Sequence, residues 1–178
     1  MLADSNVIAL TPLLKGKLQS MIEEMERKPF GHFAVRGPPG SGKMTLIRLA
    51  DHIMTQQASL NSYDQTSSSR FIVVTLEETF DSKNLVGTYV CNETGDFVFK
   101  KGPLTVAAEQ GLWLVLRNIE DCPSDLLSFL LPLVEQNTLH VTSTFTIKPK
   151  LGFRIFALTR SASNSAGSNI PSATEETI

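Results

Sequence analysis

Cysteine is scarce in this sequence, since only Cys91 and Cys122 occur among 178 residues. Two cysteines are too few for a disulfide framework, and we expect both to be ordinary thiols in a reducing compartment. The three histidines (His32, His52 and His140) are scattered, and no CxxC or HxxxH spacing indicates a metal site. The sequence therefore predicts neither a disulfide-stapled domain nor a cysteine–histidine metal centre.

Long apolar runs and an excess of one charge are also missing. No stretch of 18 apolar residues occurs, which argues against a membrane span, and the first ten residues lack the features of a secretory signal. The 16 Lys and Arg residues nearly balance the 18 Asp and Glu residues, at a pI near 5.9. This balance removes the usual electrostatic case for direct nucleic-acid or membrane binding. We expect one soluble intracellular domain.

The spacing of apolar residues predicts helices that alternate with strands. Thr11 and Pro12 favour a helix start, because the hydroxyl caps the helix and proline costs no hydrogen bond there. Predicted helices span 11–27, 44–54, 104–110 and 123–135; predicted strands span 33–35, 71–76, 112–116 and 153–158; hairpins are expected at 89–99 and 139–147. The alternation predicts an α/β fold with a mostly parallel sheet flanked by helices.

Two segments carry more specific expectations. The continuous apolar run at 71–76 is typical of a parallel strand covered on both faces. We divide the chain into a helix within 1–27, an α/β core at 28–160 and a tail at 161–178. The tail is rich in Ser, Asn, Gly and Thr, and we expect it to be disordered. Arg154 opens the last strand, where we expect solvation or contact with a neighbouring module.

A glycine-rich segment between a predicted strand and a predicted helix matches the phosphate-binding pattern GxxxxGK. The glycines let backbone N–H groups turn towards a phosphate, the helix N-terminus adds partial positive charge, and Lys43 reaches the terminal phosphates. ATP or ADP is the expected ligand. The predicted nucleotide-binding residues are Gly37, Pro38, Pro39, Gly40, Ser41, Gly42, Lys43, Met44 and Thr45.

The position after this lysine departs from the pattern. Ser or Thr normally stands there and its hydroxyl binds Mg²⁺, whereas this sequence has Met44, whose thioether is a poor ligand for a hard cation. Thr45 is a weak substitute, because one residue along a helix turns the side chain by about 100°. We therefore assign no metal ligand, and a role for Mg²⁺ stays open.

The second acidic site of a phosphate-loop ATPase is altered as well. Such enzymes carry Asp-Glu after another buried strand, but the strand at 112–116 is followed by Arg117 and Asn118. Asn118 hydrogen-bonds water without accepting its proton, and Arg117 places a permanent cation near the usual metal position. Glu120 and Asp121 are the alternative acids, and they serve only if the strand extends further. We assign no catalytic residue.

An ordered series of short motifs resembles the AAA+ modules of the midasin family, the dynein-related ATPases of large ribosomal subunit assembly. The resemblance covers about residues 28–160 and implies an AAA+ core with a hairpin inserted before the second helix. The motifs are 84–89 (NLVGTY), 95–99 (GDFVF), 102–104 (GPL), 111–116 (GLWLVL), 123–127 (PSDLL), 130–135 (LLPLVE) and 153–157 (FRIFA).

The resemblance also assigns roles to the altered positions. Gly37–Lys43 would be the Walker A loop, Arg117 and Asn118 would occupy the Walker B Asp-Glu positions, and Arg160 would stand where sensor 1 usually has Asn. Several departures suggest a degenerate module, such as the first of six in a midasin chain. No counterpart of the lid subdomain follows, so we expect a fragment or a truncated product.

The implied function is that of a nucleotide-binding module in a ring of AAA+ modules, acting on pre-60S ribosomal particles during remodelling and nuclear export. The resemblance implies a nuclear location, nucleolar or nucleoplasmic. We expect this module to be structural or regulatory with little hydrolysis. Three alternatives stay open: an active ATPase that uses Glu120 or Asp121, a MoxR-like AAA+ chaperone module, and a non-functional partial gene product.

Overall fold

The computed structural model describes residues 11–59, 70–142 and 145–160, so the prediction for the tail at 161–178 lies outside the described residues. The helices are α1 (Pro12–Arg27), α2 (Lys43–Ser59), α3 (Ser82–Val86), α4 (Pro103–Gln110) and α5 (Ser124–Gln136), and a 3-10 turn spans Ile119–Asp121. The strands are β1 (Phe33–Arg36), β2 (Phe71–Thr75), β3 (Gly87–Cys91), β4 (Phe97–Lys101), β5 (Trp113–Arg117), β6 (Leu139–His140), β7 (Thr146–Ile147) and β8 (Arg154–Thr159).

Four strands form one parallel sheet in the order β1-β8-β5-β2. This confirms the predicted α/β fold with a parallel sheet between helices. The strands β3 and β4 pair antiparallel, as do β6 and β7, so both predicted hairpins are present. None of the helices described combines the length and apolar character that crossing a membrane requires.

Strand β5 separates two apolar clusters, because successive side chains of a strand point to opposite faces. Trp113 and Val115 pack with α1, α2 and Phe156 on one face of the sheet. Leu114 and Leu116 pack with α3, α4 and α5 on the other. All four side chains are at most 4% exposed. The central strand is therefore covered on both faces, which fixes the layers of the fold.

Strand β2 corrects one expectation. Its run of apolar residues predicted coverage on both faces, but Val73 is 40% exposed, while Ile72 and Val74 pack on the cluster around α4 and α5. Among the described strands it pairs only with β5, so it lies at the edge of the sheet that these strands form. Apolar composition alone does not distinguish an edge strand from a central one, because the neighbours are set by tertiary pairing.

Two short elements were not predicted. Helix α3 begins after Asp81, whose carboxylate accepts a hydrogen bond from the Lys83 N–H at 2.9 Å and so caps the helix. The 3-10 turn follows β5 directly and starts after Asn118, whose backbone is left-handed at φ 57°. Both elements are too short for an apolar period to show in the sequence.

Arg154 is neither solvated nor available to another module, which corrects the expectation for this residue. It is only 5% exposed, and its guanidinium donates to the backbone carbonyls of Met25 and Lys28, at 2.8 Å for Lys28. Its Cζ lies 5.9 Å from the centre of the Phe33 ring. The carbonyls at the C-terminal end of α1 lack partners within the helix, so Arg154 joins this end to the start of β8.

His32 stands beside this contact. Its Nδ1 accepts a hydrogen bond from the Ile155 N–H at 3.1 Å. Burial, with the nearby charge of Arg154, lowers the pKa of His32 to about 4. The imidazole is therefore neutral at pH 7, as the acceptor role of Nδ1 requires.

We expect Arg154→Met to lower the free energy of unfolding by about 2–4 kcal/mol, because it leaves the buried Met25 carbonyl and the partly buried Lys28 carbonyl without their charged donor. Urea denaturation followed by circular dichroism measures this change. Arg48→Met is the matched control: Arg48 is exposed on α2, and its replacement should change stability by less than about 0.5 kcal/mol. Equal stabilities of the two variants would contradict the assigned role.

Candidate nucleotide-binding site

The loop between β1 and α2 has the backbone of a phosphate cradle. Gly40 and Gly42 adopt φ values of 77° and 82°, in the left-handed region that side chains disfavour. Gly37 meets a different constraint, since an added Cβ would lie 2.8 Å from the Ser41 Oγ. These conformations explain the glycine spacing of the motif, and they let consecutive N–H groups face one concavity.

Lys43 is the first residue of α2 and closes the loop. Its Nζ donates to the carbonyl oxygens of Gly37 at 2.6 Å and Pro38 at 2.9 Å. The ammonium is thus held against the loop at the N-terminus of a 17-residue helix. Loop, helix dipole and ammonium together give this end of the sheet an affinity for anions.

A cleft of about 420 Å³ opens at this loop. It lies at the carboxyl ends of β1, β5 and β8, where open parallel sheets bind ligands. Register explains why these ends meet, since Thr159 pairs with Arg36 while Leu158 pairs with Arg117. The residues that line the cleft are Pro39, Gly40, Ser41, Gly42, Lys43, Met44, Thr45, Arg117, Asn118, Leu158, Thr159 and Arg160.

The structure thus brings most of the predicted site residues together. Gly37 and Pro38 contact the Lys43 ammonium, and the other residues of the motif, through Thr45, line the cleft directly. Arg117, Asn118 and Arg160 line the same cleft. Leu158 and Thr159 also line it but were not predicted, because only the pairing of β8 with its neighbouring strands brings them there.

The lining does not fit Mg²⁺. Among the described residues that line the cleft there is no carboxylate, but there are three cations, Lys43, Arg117 and Arg160. Proteins usually hold Mg²⁺ through one or two carboxylates and water. Thr45 lines the cleft, one position later than the usual metal-binding hydroxyl, whereas Met44 also packs on the apolar cluster beside α1. Nowhere in the described ranges do three Asp, Glu, His or Cys side chains form a metal-holding group.

Glu120 and Asp121 do not extend β5, as the active-ATPase alternative required. The strand ends at Arg117, and both acids lie in the 3-10 turn, where Arg160 contacts them. The Arg160 Nε lies 2.5 Å from the Glu120 Oε1, and its Nη2 lies 2.8 Å from the Asp121 Oδ2. Burial raises the pKa of Glu120, but the hydrogen bonds, chiefly from Arg160, outweigh it and hold this pKa below its usual range.

Comparison with known families identifies the architecture. Residues 32–176 match the model of the AAA domain, dynein-related subfamily. The chain belongs to this subfamily. In this AAA module the hairpin of β3 and β4 precedes α4, as the resemblance implied.

Curated relatives of the AAA module include two midasins. Midasin of Dictyostelium discoideum is 34% identical over 125 residues, which cover 69% of this chain and 2% of that protein. Midasin of Giardia intestinalis is 40% identical over 80 residues, covering 44% of this chain and 2% of that protein. The chain thus spans about 2% of the length of these relatives, and it is a midasin-like AAA+ module.

Solved structures support the fold alone, because their sequence identities are low. NtrX from Brucella abortus superposes with a TM-score of 0.57 at 22% identity, covering 88% of this chain and 32% of that one. A putative ATPase from Cytophaga hutchinsonii gives 0.53 at 16% identity, covering 89% and 48%. NtrX in complex with ADP gives 0.53 at 20% identity, covering 91% and 31%.

The left-handed glycines of the cradle allow a direct test. We expect Gly42→Ala to lower the free energy of unfolding by about 1–2 kcal/mol, because φ 82° is strained for a residue with a Cβ. Gly16→Ala is the control of opposite sign: Gly16 lies within α1 with open space around it, and alanine there should raise stability by about 0.5–1 kcal/mol. Urea denaturation of both variants measures these free energies. A Gly42→Ala variant as stable as the native protein would contradict the cradle geometry.

Proposed function

We propose that this AAA+ module binds ATP or ADP without needing Mg²⁺ and hydrolyses ATP little or not at all. The observation that carries the proposal is the composition of the cleft: the phosphate loop with Lys43 lines it together with two further cations, Arg117 and Arg160, and no described carboxylate does. Such a site retains the means of holding a polyphosphate while lacking the usual means of holding its metal.

Nucleotide as the ligand is supported by the loop and by the fold. The left-handed glycines, the Lys43 ammonium and the start of α2 form the arrangement that binds nucleotide phosphates in this fold class. A neighbour of the same fold, NtrX, has been solved in complex with ADP. Both observations favour a nucleoside polyphosphate over other anions.

Arg117 is the residue that we expect to replace the metal. It stands at the carboxyl end of β5, where it is exposed, and it lines the same cleft as the loop. A guanidinium stays charged at all physiological pH values and binds phosphate oxygens in pairs. In this role it neutralises phosphate charge directly.

Weak hydrolysis follows from Asn118. The residue lines the cleft one position after Arg117, where the resemblance implies the glutamate that activates water. An amide orients water but does not accept its proton. Loss of a general base and loss of a metal each cost several kcal/mol of transition-state stabilisation. The module is therefore proposed to act structurally or as a regulator.

The cellular setting belongs to the same proposal. Similarity to midasin supports a place among neighbouring AAA+ modules of a ring, in the remodelling of pre-60S particles in the nucleus. Exposed apolar side chains support protein contacts: Leu127, Leu131 and Val134 follow one another along α5, each about 40% exposed. Phe97 on the inserted hairpin is 76% exposed. Apolar surface of this kind is common where proteins meet.

Calorimetric titration with ATP tests the nucleotide site. We expect the dissociation constant for ATP to change less than about threefold between excess EDTA and excess Mg²⁺, because no carboxylate occurs among the described residues that line the cleft. Lys43→Ala and Arg117→Ala should each weaken binding about tenfold, since each removes a charge-assisted contact with phosphate. Arg48→Ala, exposed on α2 outside the cleft lining, should leave the affinity unchanged. Strictly Mg²⁺-dependent binding would overturn the proposal.

Single-turnover assays test the lack of hydrolysis. With the protein in excess over radiolabelled ATP and Mg²⁺ present, we expect no more phosphate release than in the Lys43→Ala variant, because the described residues that line the cleft include no general base for water. A measurable rate that Glu120→Gln or Asp121→Asn abolishes would instead establish the alternative of an active ATPase with substituted acids.

A further inference from the structure

Arg160, directly after β8, forms ion pairs that phosphate binding does not require. Arg160 lines the cleft, but two of its N–H donors point to carboxylates of the turn after β5. The Nε contact with Glu120 is 2.5 Å and the Nη2 contact with Asp121 is 2.8 Å, and the Arg160 N–H also donates to the Glu120 Oε1 at 3.3 Å. We call these three residues the Arg160 clamp.

The clamp occupies an edge of the guanidinium that also suits a phosphate. Bidentate binding of carboxylate and of phosphate uses the same pairs of parallel N–H groups, so the two kinds of anion compete for them. The clamp also carries one positive and two negative charges. Its net charge of about −1 offers less attraction to a polyanion than a free arginine would.

The strength of the clamp permits such competition. The Arg160 side chain is 53% exposed, and those of Glu120 and Asp121 are 29% and 31% exposed. Ion pairs this accessible to water are weak, because solvent screens them and two side chains must be held in place. A buried pair would be costly to open, whereas an ion pair this exposed costs little to open.

We propose that Glu120 and Asp121 determine the discrimination between ATP and ADP by withholding Arg160 from the terminal phosphate. The inference rests on the proposed nucleotide site. The loop and Lys43 are available to both nucleotides, while the additional negative charge of the third phosphate of ATP favours further cations beside the loop. Besides Lys43, the cations that line the cleft are Arg117 and Arg160. Glu120 and Asp121 form their ion pairs with Arg160.

A double-mutant cycle tests the proposal by calorimetric titration of ATP and ADP in EDTA. In the full chain, Glu120→Gln with Asp121→Asn should raise the affinity for ATP about three- to tenfold, with a smaller change for ADP, because Arg160 becomes available. In an Arg160→Met background the same two substitutions should leave the ATP to ADP affinity ratio nearly unchanged. If the double variant folds poorly, the same cycle is measured with Glu120→Gln alone and with Asp121→Asn alone.

Each other outcome overturns the inference. An equal gain in the Arg160→Met background would show general charge removal, and a loss of ATP affinity would show that the carboxylates position Arg160 for binding. Lys43→Ala separates the two proposals. If Lys43→Ala weakens ATP binding but the cycle shows no coupling between the carboxylates and Arg160, the proposed nucleotide site stands and only the proposed role of Glu120 and Asp121 is wrong. If no variant binds ATP, the proposed function and the clamp fail together.

Discussion

Parallel pairing of β8 between β1 and β5 is the interaction on which the cleft depends. The hydrogen bonds between these strands bring three carboxyl ends to one edge of the sheet. Directly after β1, the Gly37 N–H donates to the Thr159 carbonyl at 3.3 Å. The phosphate loop, Arg117 and Arg160 come from distant parts of the chain. They meet because the strands run in the same direction, and antiparallel pairing would send them to opposite edges.

Much of this arrangement was predictable from local pattern. Some elements have a recognisable pattern within a short segment of sequence. These are the helix that follows Thr11, the strand that contains Trp113 and the glycine-rich phosphate loop. A local pattern also predicted the hairpin at 89–99, and the family resemblance placed it as an insertion before the second helix of the core. The structure confirms the helix, the strand and the hairpin.

The remainder depends on pairing between segments that are far apart in sequence. The edge position of Val73, the burial of Arg154 and the contact of Arg160 with Glu120 all follow from which strands and helices become neighbours. A charged residue at the start of a strand is normally interpreted as solvated, because burial of a cation is costly without partners. The partners of Arg154 are backbone carbonyls, which carry no residue-specific signal.

The contact of Arg154 with the end of α1 bears on where the domain begins. Helix α1 contributes Met21 and Met25, each at most 1% exposed, to the cluster beneath β1 and β8. It also supplies the carbonyls that accept from Arg154, at the opposite end of the six-residue strand that leads to the cleft. A protein expressed from residue 28 onwards would keep the whole phosphate loop, yet it would uncover the part of the sheet face on which α1 packs beside α2, and it would remove the Met25 carbonyl that accepts from Arg154. The α1 segment is thus an integral layer of the folded unit.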